Sequence, residues 1–67
     1  MSLGHNQINI IVDGATPTTY VNQVNDDGSF VTDTETARVY NAKEAGRALR
    51  TLRQFNEGTT FDIITLD

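Results

Sequence analysis

A chain of 67 residues with a formal charge of −4 has room for one small domain, which buries only roughly 60% of the surface that its unfolded form exposes. Its hydrophobic content of 37% and charged content of 21% are typical of a soluble globular protein and argue against a disordered chain. Because the sequence has no cysteine, it excludes disulfides, thiolate metal sites and cysteine nucleophiles, and a cytoplasmic location is expected.

Residues 1–6 are predicted to form a flexible N-terminal segment, and residues 7–67 a single α+β domain. No apolar run reaches the ~18 residues that a membrane span needs, and the first residues lack the features of a signal peptide. Neither export nor membrane insertion is therefore expected. The sole histidine, His5, lies in this segment and is interpreted as inert.

Three strands are predicted in the first half of the chain. The β-branched run in "QINIIVDG" predicts a strand over residues 8–12. The segments "YVNQV" and "SFVTD" predict strands over 20–24 and 29–33. Between them "NDDG", residues 25–28, supplies the Asp-Gly pair that tight hairpin turns prefer, because such turns need a positive φ.

One helix is predicted to follow. Asn41 has the properties of an N-cap, with Glu44 placed to complete a capping box, so the helix should begin at Ala42. It should end near Asn56, with Gly58 as the C-terminal cap. Apolar residues recur at helical spacing and predict one apolar stripe on one side of the helix: Ala45, Ala48, Leu49, Leu52 and Phe55.

The predicted fold class is α+β, with order β-β-β-α-β, in which a small, single-layer, mostly antiparallel sheet carries one helix on one face. Residues 34–36 are compatible with a turn and residues 37–40 with a short extended segment, so 34–40 receives no assigned element. The segment "TFDIITLD" predicts the last strand. Short connections favour the strand order 3-2-1-4, with the last strand parallel to the first.

Strict alternation along the strands divides their side chains between two faces. The predicted helix side comprises Ile8, Ile10, Val12, Tyr20, Val24, Phe30, Phe61 and Ile63. The opposite side is then partly apolar and is a candidate dimer face, formed by Ile11, Val21, Val31, Ile64 and Leu66. The alternative is an exposed face of scattered apolar residues without a partner.

Four of the five basic side chains lie on the predicted helix, along the side opposite its apolar stripe. This basic ridge consists of Lys43, Arg47 and Arg50, with Arg53 on its flank. Residues 38–53 carry five basic side chains and one acidic one, so the rest of the chain carries −8. The ridge suits an acidic protein partner, although a solvated helix face is the alternative. Nucleic acid is less favoured, because the pI is about 4.6 and no aromatic residue accompanies the ridge.

No motif predicts catalysis, a cofactor or a metal. An EF-hand register with Gly28 in sixth position leaves Gln23 in first and Thr34 in twelfth position, where carboxylates belong. Ser29 has no histidine partner within the predicted domain. We therefore expect a protein that is not an enzyme and that has no cofactor.

The run "GSFVTDTETARVYNAKEAGRAL", about a third of the chain, resembles a pattern of small uncharacterised bacterial and phage proteins. In that pattern a hairpin strand ending in Thr-Asp leads through an aromatic segment into a capped helix that starts "KEA". The resemblance implies a compact accessory domain of phage or prophage type. The sequence as a whole predicts a protein-interaction module, acting as a homodimer or on an acidic protein partner, with nucleic-acid binding as the alternative.

Overall fold

The computed structural model describes residues 7–66. The predicted flexible segment 1–6, including His5, lies outside the described residues, as does Asp67. The elements are β1 (Ile8–Val12), β2 (Tyr20–Val24), β3 (Phe30–Asp33), α1 (Ala42–Phe55) and β4 (Phe61–Thr65). The predicted order β-β-β-α-β and the α+β class are confirmed.

The four strands form one sheet in the order β3-β2-β1-β4, as predicted, and all three strand pairings are antiparallel. The helix packs on one face of this sheet, where it contacts β1, β2 and β4. Between the two layers lies a core of seven buried residues: Ile8, Ile10, Val21, Tyr40, Ala45, Leu52 and Phe61.

The helix is capped at both ends by asparagine. At the N-terminus the predicted capping box is present, with Glu44 N donating to Asn41 Oδ1 over 2.8 Å and Asn41 N donating to Glu44 Oε1 over 3.2 Å. The predicted end near Asn56 is confirmed, but the predicted cap is wrong: Asn56, whose N–H donates to Leu52 O, is the C-cap. Gly58 has no left-handed φ and does not cap the helix.

The β2–β3 hairpin forms as predicted, and its tip reaches the end of the helix. Gly28 adopts φ +89°, its N–H donates to Asn25 O, and Asn25 N donates to Ser29 O. Phe55 packs directly on Gly28, and Asn56 Nδ2 donates to Gly28 O over 2.8 Å. The turn glycine is therefore buried under the last residues of α1.

The predicted parallel direction of β4 was wrong, because residues 34–40 reverse the chain before the helix begins. Tyr40 pairs antiparallel with Ile8, through hydrogen bonds of 2.8 and 2.9 Å in both directions. β3 runs parallel to β1, since both are antiparallel to β2. Because the chain at Tyr40 runs antiparallel to β1, the helix starts beside the beginning of β1. The chain then returns from the helix into β4, which is also antiparallel to β1.

An irregularity in β2 changes which side chains face the helix. The pairing with β3 shifts between Val21 and Gln23, which adds one residue to β2. Strict alternation therefore fails: Val21 is fully buried in the core, at 0% exposure, and is not part of a dimer face. Tyr20 pairs directly with Ile11 and so lies on the side away from the helix, contrary to prediction.

Candidate functional site

The basic ridge is present on α1, and all four of its cations, Lys43, Arg47, Arg50 and Arg53, are exposed. They do not act as one surface. Lys43 and Arg47 line a groove of about 450 Å³, while Arg53 lines a smaller cavity of about 280 Å³ beside Phe61. Arg50 lines neither cavity.

The larger cavity, called here the helix groove, lies between α1 and the end of β2. Val24, Asn25 and Asp26 line it from the hairpin, whereas Ala48 and Thr51 line it from the helix. Volumes of ~300–1,000 Å³ are usual for ligand sites, and such sites combine an apolar surface with a few polar groups. The helix groove has both properties.

A fifth cation, Arg38, joins the helix groove from outside the helix. Its guanidinium carbon lies 4.8 Å from the centre of the Tyr40 ring, within the range of a cation–π contact. Its backbone N–H donates to Asn22 Oδ1 over 2.8 Å, and its carbonyl accepts from the Asn9 side chain over 2.9 Å. Its guanidinium Nη1 also donates to Asn22 O over 3.4 Å, and the side chain remains exposed.

Asn22 is the residue that ties the 34–40 segment to β2. Its Nδ2 donates to Thr36 O over 2.7 Å while its Oδ1 accepts from Arg38 N. It occupies the irregular position of β2, between Val21 and Gln23, where the strand pairing is interrupted. The irregularity therefore frees a polar side chain to hold the segment that carries Arg38.

Tyr40 joins this segment to the core and forms part of the wall of the helix groove. Its side chain is 3% exposed, and its hydroxyl donates to Val21 O over 2.9 Å. It directly precedes the N-cap Asn41, where the capping box begins the helix. Tyr40 therefore anchors to the core the stretch of chain that lies between Arg38 and the helix.

The helix groove has a small positive balance, with three cations and the two carboxylates of Asp26 and Glu44. Glu44 is occupied in the capping box. At the hairpin tip, Asp27 accepts from both Ser29 N and Ser29 Oγ, and these hydrogen bonds hold the pKa of its carboxyl below the ordinary value. Within residues 7–66 no group of three or more acidic or histidine side chains could hold a metal ion.

The candidate dimer face is reduced to four of its five predicted residues. The register places Ile11 and Ile64 on the face away from the helix, with Val31 and Leu66, and Tyr20 takes the place expected of Val21. Val31 and Leu66 are 52% and 45% exposed. Whether this face binds a second copy stays a prediction, and Ile64→Glu should weaken any such dimer.

Sequence reasoning found Lys43 and Arg47 but missed the part that Arg38 plays. Arg38 contributes to the positive charge of residues 38–53, but it lies outside the predicted helix and therefore outside the basic ridge. The available signal was the spacing in "RVYN", in which an aromatic residue directly before the N-cap anchors the preceding chain against the helix.

The fold and site define a small α+β protein with a charged groove beside its single helix. Comparisons with family models, curated proteins and solved structures found no match to this chain. No helix in the described part of the chain has both the length and the apolar character needed to cross a membrane.

Stability at alkaline pH should depend on Tyr40. Burial raises the pKa of its hydroxyl, with Glu44 adding to the effect and Arg38 opposing it. Since the unfolded chain releases this proton near pH 10, the contribution is complete below about pH 10 and is lost as the pH rises through the folded-state pKa. We expect the free energy of unfolding, measured with urea at pH 8 to 11, to fall more steeply for the native protein than for Tyr40→Phe. Parallel curves would contradict this.

Proposed function

We propose that this protein is a non-catalytic protein-binding module that captures an acidic segment of a partner protein in the helix groove. The observation that supports this most is that Arg38, which lies before the helix, lines the same groove as Lys43 and Arg47 of α1. The other surfaces carry most of the acidic residues, so the groove is a local positive site on a negative protein.

The lining indicates the chemistry of the bound segment. Val24 and Ala48 offer apolar surface beside the cations. Asp26 and Glu44 repel a ligand with a dense run of negative charge. The groove therefore fits a segment in which one or two carboxylates alternate with apolar side chains.

Nucleic acid fits this groove less well. The only aromatic residue that lines it, Tyr40, is buried and offers no face for stacking a base. The Asp26 carboxylate lies in the wall that a phosphate backbone would approach. Nucleic-acid binding is therefore kept as an outcome of the test.

The resemblance in residues 28–49 supports a further proposal, that the module is an accessory protein of phage or prophage type acting in the cytoplasm. An accessory protein of this kind acts by binding other proteins and needs no catalytic activity of its own. It is independent of the groove and would be tested by isolating partners from the host.

The groove is tested with three fluorescent probes: a peptide alternating Asp or Glu with Leu, the same peptide with Asn and Gln as the polar residues, and a 12-residue thymidine oligonucleotide. We expect the acidic peptide to bind most tightly. Lys43→Gln with Arg47→Gln should weaken it about tenfold, largely through slower and less salt-sensitive association. The free energy of unfolding should change by less than about 0.5 kcal/mol.

The matched control is Arg50→Gln with Arg53→Gln, which removes the same charge from the same helix outside the groove. We expect this control to weaken the acidic peptide less than threefold. Equal losses of affinity for the acidic peptide in both double variants would contradict a specific site, because binding would then depend only on the net charge of the helix. Tighter binding of the oligonucleotide than of the acidic peptide would replace the proposal with its nucleic-acid alternative.

A further inference from the structure

β4 is an outer strand of the described sheet, and it pairs on one side only, with β1. On its other side, every second residue presents its backbone N–H and C=O groups. Thr60 O accepts from Asp13 N, and Leu66 N donates to Gln7 O, so the even-numbered residues direct their hydrogen-bonding groups towards β1. The backbone groups of the odd-numbered residues Phe61, Ile63 and Thr65 consequently point outwards. An outer strand of this kind is a template for pairing with another strand.

The side chains of β4 add apolar surface to this free edge. Ile63 pairs with Ile10 and so lies on the helix side of the sheet, yet it is 42% exposed. On the other side Ile64 is half-buried and Leu66 is 45% exposed. The strand contains no proline or lysine, which commonly protect sheet edges.

One residue does limit access to the edge. Asp62 Oδ1 accepts from the outward-pointing N–H of Ile63 over 2.8 Å. This contact occupies the central donor of the edge, and it puts a negative charge beside it. A strand that pairs with β4 must displace this carboxylate.

We propose that β4 pairs antiparallel with β4 of a second copy about a two-fold axis at Ile63, and that Asp62 keeps this association weak. The strand is five residues long and is centred on Ile63, so two-fold pairing matches each outward residue with a partner: Phe61 with Thr65 of the partner subunit, and Ile63 with Ile63 of the partner subunit.

This register keeps the two edge carboxylates apart. Asp62 comes to lie opposite Ile64 of the partner subunit, so the two acids do not face each other directly. The exposed Ile63 side chains pack together across the axis, and the two sheets join into one of eight strands. This interface is separate from the helix groove, so its test is independent of the proposed function.

The experiment is sedimentation equilibrium of the full chain from 10 μM to 1 mM, with amide hydrogen exchange at both ends of the range. We expect a weak dimer in which the amides of Phe61, Ile63 and Thr65 become protected. Asp62→Ala should tighten the dimer at least tenfold, because it frees the Ile63 N–H and removes two charges. The matched control Glu57→Ala, which removes a charge from an exposed loop, should change it less than threefold.

Two disruptive variants locate the interface. Ile63→Lys should abolish the dimer, whereas Val31→Lys, on the far outer strand, should leave it unchanged; thermal unfolding checks that both fold. If the native protein and Asp62→Ala both stay monomeric to 1 mM, the proposal is overturned. It is equally overturned if Val31→Lys abolishes the dimer and Ile63→Lys does not, since the interface would then be the sheet face away from the helix.

Discussion

Gly28→Ala is expected to destabilise the protein by about 3 kcal/mol, although the change adds a single methyl group to a hairpin turn. The left-handed backbone costs a non-glycine residue roughly 1–2 kcal/mol, and overpacking adds a further ~1–3 kcal/mol. The added Cβ would overlap the Cβ of Phe55 and lie 2.6 Å from its Cγ. Because the overlap involves the base of the Phe55 side chain, a change of rotamer cannot relieve it.

Gly14→Ala is the matched control. Gly14 has nearly the same backbone conformation, with φ +82°, but a Cβ there meets no atom within 4 Å. Urea unfolding should show a loss of about 1–2 kcal/mol for Gly14→Ala, from the backbone alone. Equal losses at the two glycines would contradict this prediction, because they would show that the overlap with Phe55 adds no cost.

This contact also bears on the helix groove. Asn25 and Asp26, which line the hairpin side of the groove, belong to the turn that Gly28 closes. Moving the turn away from Phe55 would move that wall. Folded Gly28→Ala protein should therefore bind the acidic peptide more weakly than Gly14→Ala.

Tyr40→Ala should cost about 4 kcal/mol, within the usual range of roughly 3–5 kcal/mol for removing a buried aromatic side chain. The change leaves a cavity in the core, removes the hydrogen bond to Val21 O and removes the surface on which Arg38 lies. A domain of this size has a stability of roughly 3–10 kcal/mol, so circular dichroism should show a partly or wholly unfolded chain.

Tyr40→Phe keeps this prediction testable if Tyr40→Ala does not fold. It removes only the hydroxyl and leaves Val21 O without that donor, which should cost about 1–2 kcal/mol in urea unfolding. A loss below about 1 kcal/mol for Tyr40→Ala would mean that Tyr40 does not hold the 34–40 segment to the core.

Local chemistry was sufficient to predict the elements and their bounds to within a residue or two. Asn41 and Glu44 form their capping box from groups three residues apart, and Gly28 has the positive φ that its turn requires. These features depend on residues close in the chain, so the sequence contains all that determines them. The strand order followed from the preference for short connections.

The candidate site was only partly predictable. Helical spacing placed Lys43 and Arg47 on one side of α1, and this is what the structure shows. Arg38 reaches the same groove because Asn22, sixteen residues earlier, accepts from its backbone N–H. The pattern of residues 34–40 cannot predict this contact, because its partner lies elsewhere in the chain.

The sequence by itself determined the strands, the hairpin turn and the capped helix with its basic ridge, because each depends on backbone preferences and spacing within a few residues. The tertiary structure decided that Val21 is buried, since the irregularity in β2 exists only against β3. It also decided the direction of β4, because Tyr40 pairs with Ile8 thirty-two positions away and reverses the chain before the helix. Such long-range hydrogen bonds leave no local pattern, and they are what assemble the helix groove.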